Sequence, residues 1–309
     1  MSDSSLVLIA AQGVSACASY LYAGLGEAVG QRAGIYNLGV DGVMLMGAFS
    51  AFYAVFVGQS PLVGVAVAAL VGASMGLLMA FLSVTLKSEQ GISGIGLYML
   101  GLGLSTLLFN ALVQTPRPVA DGFVKVALPL LSSIPILGPV FFNQNPLVYG
   151  ALLLAPLTWF ILNKTKLGLN IRAVGQNPQA ADAMGVNVVL VRYFAVIFGS
   201  AMAGVAGASL SIAQTNIFQQ NMTNGIGFIA VALVYFGGWS AWGILGGALL
   251  FSLVTTLQLW VQTLGIAVSP SLVSMLPSVV TIGALAIAAR FYRAQTPSAL
   301  GVPYRRDEN

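Results

Sequence analysis

The chain contains no histidine and a single cysteine, Cys17. The first absence removes imidazole as a metal ligand and as the usual general base, and the second leaves no internal disulfide. Charge is scarce as well: 6% of the 309 residues are Asp, Glu, Lys or Arg, where a soluble domain carries about a quarter. No GxxxxGK[ST] run is present to cradle nucleotide phosphates, and no HExxH run to hold zinc. No two carboxylates share an apolar run, so no catalytic residue and no metal ligand is expected and an intramembrane enzyme is disfavoured. A basic start followed by a small-residue cleavage site is missing, so the first apolar run is expected to stay in the protein. The basic residues lie at the edges of apolar runs rather than in one patch, which argues against nucleic acid as a partner.

What fills the chain is apolar. Hydrophobic residues make up 58% and the mean hydropathy is +0.91, which reads as an all-α, polytopic integral membrane protein bathed in lipid. Windows of about 20 apolar residues give nine candidate spans, with eight to ten as the range: Leu6–Leu25, Ile35–Val57, Leu62–Leu86, Ile92–Val113, Leu147–Leu162, Tyr193–Ala213, Phe228–Gly238, Ile244–Leu264 and Leu272–Ala289. Threading these spans puts Arg32, Lys87, Lys164, Lys166, Arg172, Arg192, Arg290, Arg293, Arg305 and Arg306 on one side, and only Arg117 and Lys125 on the other. By the excess of Lys and Arg on cytoplasmic loops, the N-terminus is expected outside and the C-terminus inside. Residues 114–146 hold six of the 13 prolines and read as an extracytoplasmic loop, with a re-entrant part at Leu128–Leu137. Residues 290–309 read as a polar, frayed cytoplasmic tail. Small residues four apart, as in Gly72/Gly76 and Gly199/Ala203/Gly207, read as helix-packing faces.

The longest polar interruption, residues 163–192, must lie in water. Its middle carries the marks of a short helix: Asn177 as N-cap, Pro178 at the first position, Gly185 just past the end. The stretch Gln176, Asn177, Pro178, Gln179, Ala180, Ala181, Asp182, Ala183, Met184 and Gly185 reads either as a surface helix folded on the membrane or as a docking knob showing Ala180, Ala181, Ala183 and Met184 to a soluble partner.

Two further stretches draw attention. In Gly30–Gly47, Asn37 and Asp41 fall at membrane depth, four apart and so on one helical face, beside glycines that favour a break. Asp41 is the only acidic residue inside a candidate span; it marks a pathway, or it caps a broken helix. In Ser211–Gly238, Gln214, Asn216 and Asn224 lead into an unusually short apolar segment. Paired interruptions of this kind point to a site between two halves of a transporter. Amides with Tyr36, Phe218 and Phe228 as stacking faces suit an uncharged polar solute, a nucleoside or a sugar. Tyr36, Asn37, Asp41, Gln214, Asn216, Phe218, Asn224 and Phe228 are the candidate pathway residues.

Three stretches, Gln31–Phe49, Ile171–Val188 and Gly225–Phe251, together resemble the permease subunits of bacterial ABC importers in the ribose/nucleoside/branched-chain amino acid superfamily, most of all its simple-sugar and nucleoside branch. The chain departs from the usual pattern at Gln31, Tyr36 and Gly238. The resemblance implies a type II-like permease of two pseudo-repeated halves in the bacterial inner membrane. It also implies a second homologous permease, as a heterodimer in preference to a homodimer, and an extracytoplasmic binding protein. ATP and Mg would sit on a partner ATPase, with residues 178–184 as the coupling helix. Nucleosides or nucleobases are the expected cargo. A monosaccharide is the alternative, and an ion-coupled carrier relying on Asp41 is the rival class.

Overall fold

The computed structural model describes residues 3–113, 119–129, 132, 134–263 and 296–305, with isolated positions between 273 and 286. The chain forms a helical bundle. The helices that lie wholly within the described residues are α1 (Asp3–Arg32), α2 (Val40–Phe56), α3 (Pro61–Ala80), α4 (Gln90–Leu112), α5 (Leu137–Phe141), α6 (Pro146–Lys164), α7 (Lys166–Gln176), α8 (Pro178–Ala183), α9 (Val188–Ala208), α10 (Ile226–Phe236) and α11 (Ala241–Thr263). Helices α3 and α9 each run on through a wider π turn, Phe81–Thr85 and Ser209–Thr215. Two-residue strands β1 (Val126–Ala127) and β2 (Asn143–Gln144) pair antiparallel. Among the described residues six helices are long and apolar enough to cross a membrane, and α2 and α10 are shorter apolar helices. Eight of the nine candidate spans thus have a helix, with shifted ends. The ninth, Leu272–Ala289, lies largely outside the described residues.

Helix α2 sits in the middle, packed against α3, α4, α9 and α10, while α1 lies against α9, α11, α10 and α6. The small-residue faces make these contacts close. A Cβ on Gly72 would collide with the Ser200 carbonyl of α9, and one on Gly207 with the Met44 carbonyl of α2. Without a hydrophobic drive between helices in lipid, such backbone approach is what holds them together.

Two expectations about breaks need correction. Helix α1 does not end near Leu25 but continues to Arg32, and Gly26 lets this last part lie close on α9: a Cβ on Gly26 would be 2.7 Å from the Gly199 carbonyl oxygen. And Asn37 is not helical. It stands in the turn of residues 33–39, where its side chain accepts from the Gly39 amide at 2.8 Å, so Asn37 and Asp41 do not share a helical face.

The Pro-rich segment closes the end of the bundle remote from α7 and α8. Its Ala120 and Phe123 amides donate to the Asn216 and Ile212 carbonyls at the end of the α9 π turn, and Gln144 reaches the Ala11 carbonyl of α1. The described part of Leu128–Leu137 is turns leading into α5, flanked by the unforeseen strands.

Candidate functional site

The two short helices meet at one carboxylate. Asp41, in the first turn of α2, is fully buried. It accepts from the Thr223 hydroxyl at 3.0 Å and from the Gly227 amide at 2.8 Å, in the first turn of α10. Gly225 begins α10 in the left-handed region with φ 86°, and no side chain of its own segment caps it. Asp41 therefore caps α10 across the fold, satisfying an amide that lipid could not and lying where the helix dipole favours negative charge. A Cβ on Gly227 would collide with the Asp41 backbone, so the glycine is what admits the carboxylate.

A second buried carboxylate, Glu27, lies on α1, so Asp41 is not alone. Glu27 accepts from Gln31 Nε2 at 3.0 Å and from the Asn37 amide at 2.9 Å. Gln31 in turn accepts from the Trp239 indole at 2.9 Å, and Arg32 donates to the Trp239 carbonyl at 2.9 Å through Nη2. This chain ties the α1–α2 connection to the turn between α10 and α11, where Trp239 itself has φ 55°. The apolar-window rule missed Glu27 because its window closed at Leu25. The signal that could have found it is Glu27 and Gln31 four apart, on one face of a run of small residues that continues the helix.

The named pathway residues do not form one cluster. Phe228, at 39% exposure, meets Tyr98 of α4 edge-on at 5.2 Å between ring centres, and Asn224 is exposed beside it. Asp41 lies just behind. Tyr36 stands at the opposite end of α2 from its C-terminus, its hydroxyl donating to Glu89 at 3.0 Å. Gln214 ties the α9 π turn to Ser19 of α1 at 2.9 Å. Asn216 ends that turn with φ 57°. Phe218 is buried among Phe49, Phe52 and Phe109. Outside the named set, exposed Gln220 donates to exposed Asn110 near the C-terminal end of α4 at 3.3 Å, about 18 Å along that helix from Tyr98.

At the end bearing α7 and α8, Asn177 caps α8 by accepting from the Ala180 amide at 3.0 Å, Pro178 opens it, and Gly185 follows with φ 84°. The preceding 11-residue α7 was not foreseen; it buries Ile171 and Val174 against Leu162 and Val191. Ala181 joins that core and faces inward, which corrects its place on the outward knob. The outward residues are Gln179, Ala180, Ala183 and Met184, the last 84% exposed. Arg192, counted as an edge charge, is fully buried. Residues 296–305 are also seated rather than frayed, with the Ala299 amide donating to Gly175 and the Gly301 amide to Gly34.

No group of three potential metal-holding side chains occurs among the described residues. The letters of a serine-nucleophile turn do occur at Gly72–Gly76, but inside helix α3, where the Ser74 hydroxyl donates to the Val71 carbonyl and no histidine exists to activate it.

Residues 9–285 match the family described as branched-chain amino acid transport system, permease component. TsgC13 of Haloferax volcanii, named for glucose ABC transport, is 39% identical over 95% of this chain and 96% of its own. The guanosine ABC transporter permease NupQ of Bacillus subtilis is 34% identical, over 91% of both chains. NupP, also named a guanosine ABC transporter permease of Bacillus subtilis, is 27% identical over 75% of this chain and 68% of its own. A bundle built on two short helices, with helices long and apolar enough to cross a membrane several times, and matched over more than nine-tenths of its length by TsgC13 and NupQ, leaves one assignment: the chain belongs to the branched-chain amino acid transport system permease component family and is a membrane-embedded permease subunit of an ABC importer.

Proposed function

We propose that the chain carries a nucleoside inward, together with a second, homologous permease, a cytoplasmic ATPase and an extracytoplasmic binding protein. The observation that carries the substrate is the Tyr98–Phe228 ring pair with exposed Asn224, in front of Asp41. Amides on an outer face are out of place in hydrocarbon, so this face belongs against water or a partner. An aromatic pair beside the Asn224 amide offers a stacking surface for a flat base and a donor and acceptor for its edge. NupP and NupQ, two permeases of one organism named for the same solute, support pairing with a different chain. The excess of Lys and Arg at the end bearing α7 and α8 supports a cytoplasmic place for that end. There α8 serves as the coupling helix, docking on the ATPase through Ala180, Ala183 and Met184. ATP on the partner would close the ATPase pair, move α8 and switch the bundle around the patch.

The second reading is a monosaccharide, favoured by the resemblance to TsgC13. Uptake into vesicles holding the whole importer separates them. Stacking is worth about 1–3 kcal/mol per base, so Phe228→Ala is expected to cut guanosine uptake about tenfold and Phe228→Tyr to leave it. Uptake of glucose but not guanosine by the unaltered importer would overturn the nucleoside reading.

A further inference from the structure

The segment Thr296–Arg305 crosses the end of the bundle and is held at both the coupling loop and the α1–α2 connection. Ser298 donates to Gln176 Oε1, through its amide at 3.4 Å and its hydroxyl at 3.0 Å, one residue before the Asn177 cap of α8. The Ala299 amide donates to the Gly175 carbonyl at 2.9 Å. Two residues on, the Gly301 amide donates to the Gly34 carbonyl at 3.1 Å. The segment is folded on itself by turns from Pro297 to Leu300 and from Ala299 to Val302. Pro297 and Ala299 are buried.

The fit on the other side is close. Gly34 has φ 89°, and a Cβ there would be 3.0 Å from both the Ala299 carbonyl oxygen and Arg192 Nη2. Gly301 has φ 79°, and a Cβ there would be 3.1 Å from the Tyr36 ring. Arg192, fully buried at the start of α9, donates through Nη1 to the Val302 carbonyl at 3.1 Å. A buried guanidinium is costly to leave unpaired, and the bond that Nη1 makes to this segment is the one that Arg192 has among the described residues, Nε and Nη2 being left without a partner there.

We propose that residues 297–302 form a positioning strap, with Arg192 as its anchor, that passes displacement of the coupling helix to the α1–α2 connection and through Asn37 and Glu27 to the α10–α11 turn. This rests on the reading of α8 as the coupling helix. The strap adds a hydrogen-bonded link from Gln176 to Gly34 alongside the direct packing of α7 on α1, where Gly175 abuts the Arg32 carbonyl. Because Gly34 precedes Asn37 by three residues, whatever moves it moves the amide that Glu27 accepts from.

The test is amide hydrogen exchange on the whole importer in lipid discs, with and without ATP and orthovanadate. Two variants are compared with the unaltered chain: Gly301→Val, and replacement of residues 297–303 by a Gly-Ser sequence of equal length. Gel filtration and an unchanged melting temperature confirm that each remains folded. In the unaltered importer, trapping the ATPase is expected to slow exchange at residues 178–185 and at residues 34–39. In both variants the response at 178–185 persists, and the response at 34–39 falls at least about fivefold, the lower end of ordinary coupling between sites. An undiminished response at 34–39 in the variants would overturn the strap while leaving the coupling helix standing. No response at 178–185 in the unaltered importer would overturn the coupling reading, and the strap with it.

Discussion

Asp41 decides how the residue scale is read. A carboxylate at membrane depth reads by default as part of an ion or substrate path, yet here its oxygens accept from protein groups, the Thr223 hydroxyl and the Gly227 amide. A cap and a transport group respond differently to substitution. Asp41→Leu leaves a buried amide and hydroxyl without an acceptor, at about 1–3 kcal/mol each, and is expected to lower the melting temperature sharply in detergent. Asp41→Asn keeps an acceptor oxygen and is expected to leave both stability and ATP-driven uptake close to those of the unaltered chain. Uptake abolished by Asp41→Asn at unchanged stability would return the residue to the transport path and the chain to the ion-coupled class.

At the scale of elements, α8 and α4 show what local sequence specifies. Under the proposed reading α8 docks through its outward side, so Ala180→Glu and Met184→Glu are expected to lose the ATPase on copurification without unfolding. Ala181→Glu is expected to unfold the α7–α8 loop instead, because its side chain would enter the core of Leu162, Ile171 and Val188. Helix α4 is capped by Glu89, which accepts from the Gly91 amide at 2.9 Å and from the Ile92 amide. Those two amides hold the Glu89 carboxyl below its usual value, with the Tyr36 hydroxyl adding to them. The support this lends the first turn of α4 is therefore complete above the unfolded value near pH 4.3 and disappears as pH falls through the lower folded value. Protection of the Gly91 and Ile92 amides, relative to their intrinsic exchange rates, is expected to hold down to about pH 4 and to fall below it, and Glu89→Gln to remove that pH dependence of protection. The caps of α8 could be read directly, since Asn, Pro and Gly act through their own backbone. Helix α7 could not, because its apolar side is short and lies inside a polar stretch. The reach of α1 to Arg32, the burial of Arg192 and the seating of residues 296–305 depend on partners more than a hundred residues away, which no window along the chain contains.

On the scale of the whole molecule, the bundle is closed around α2 and open along α4. Ile92, Met99 and Leu107 are 74%, 64% and 60% exposed, and a groove of about 700 Å³ runs along Met99, Gly103, Leu107 and Asn110. Under the proposed pairing the second permease covers this face. A Cβ at Gly103 would meet nothing within 4 Å, so Gly103→Cys should fold normally, and Cys17 is buried and does not compete for reagent. Maleimide labelling at position 103 is expected to be fast in the isolated chain and severalfold slower in the assembled importer. Equal rates would place the second permease elsewhere.

The cap supplied by Asp41 also sets an order of manufacture. Helix α10 has 11 residues, about 16 Å of rise against about 30 Å of hydrocarbon, so it is too short to be inserted on its own account. The carboxylate that closes its first turn leaves the ribosome 186 positions earlier. The later segment must therefore be received by an already placed α2, and damage at Asp41 would first be met by the membrane's insertion and quality-control machinery, before any solute reached the protein.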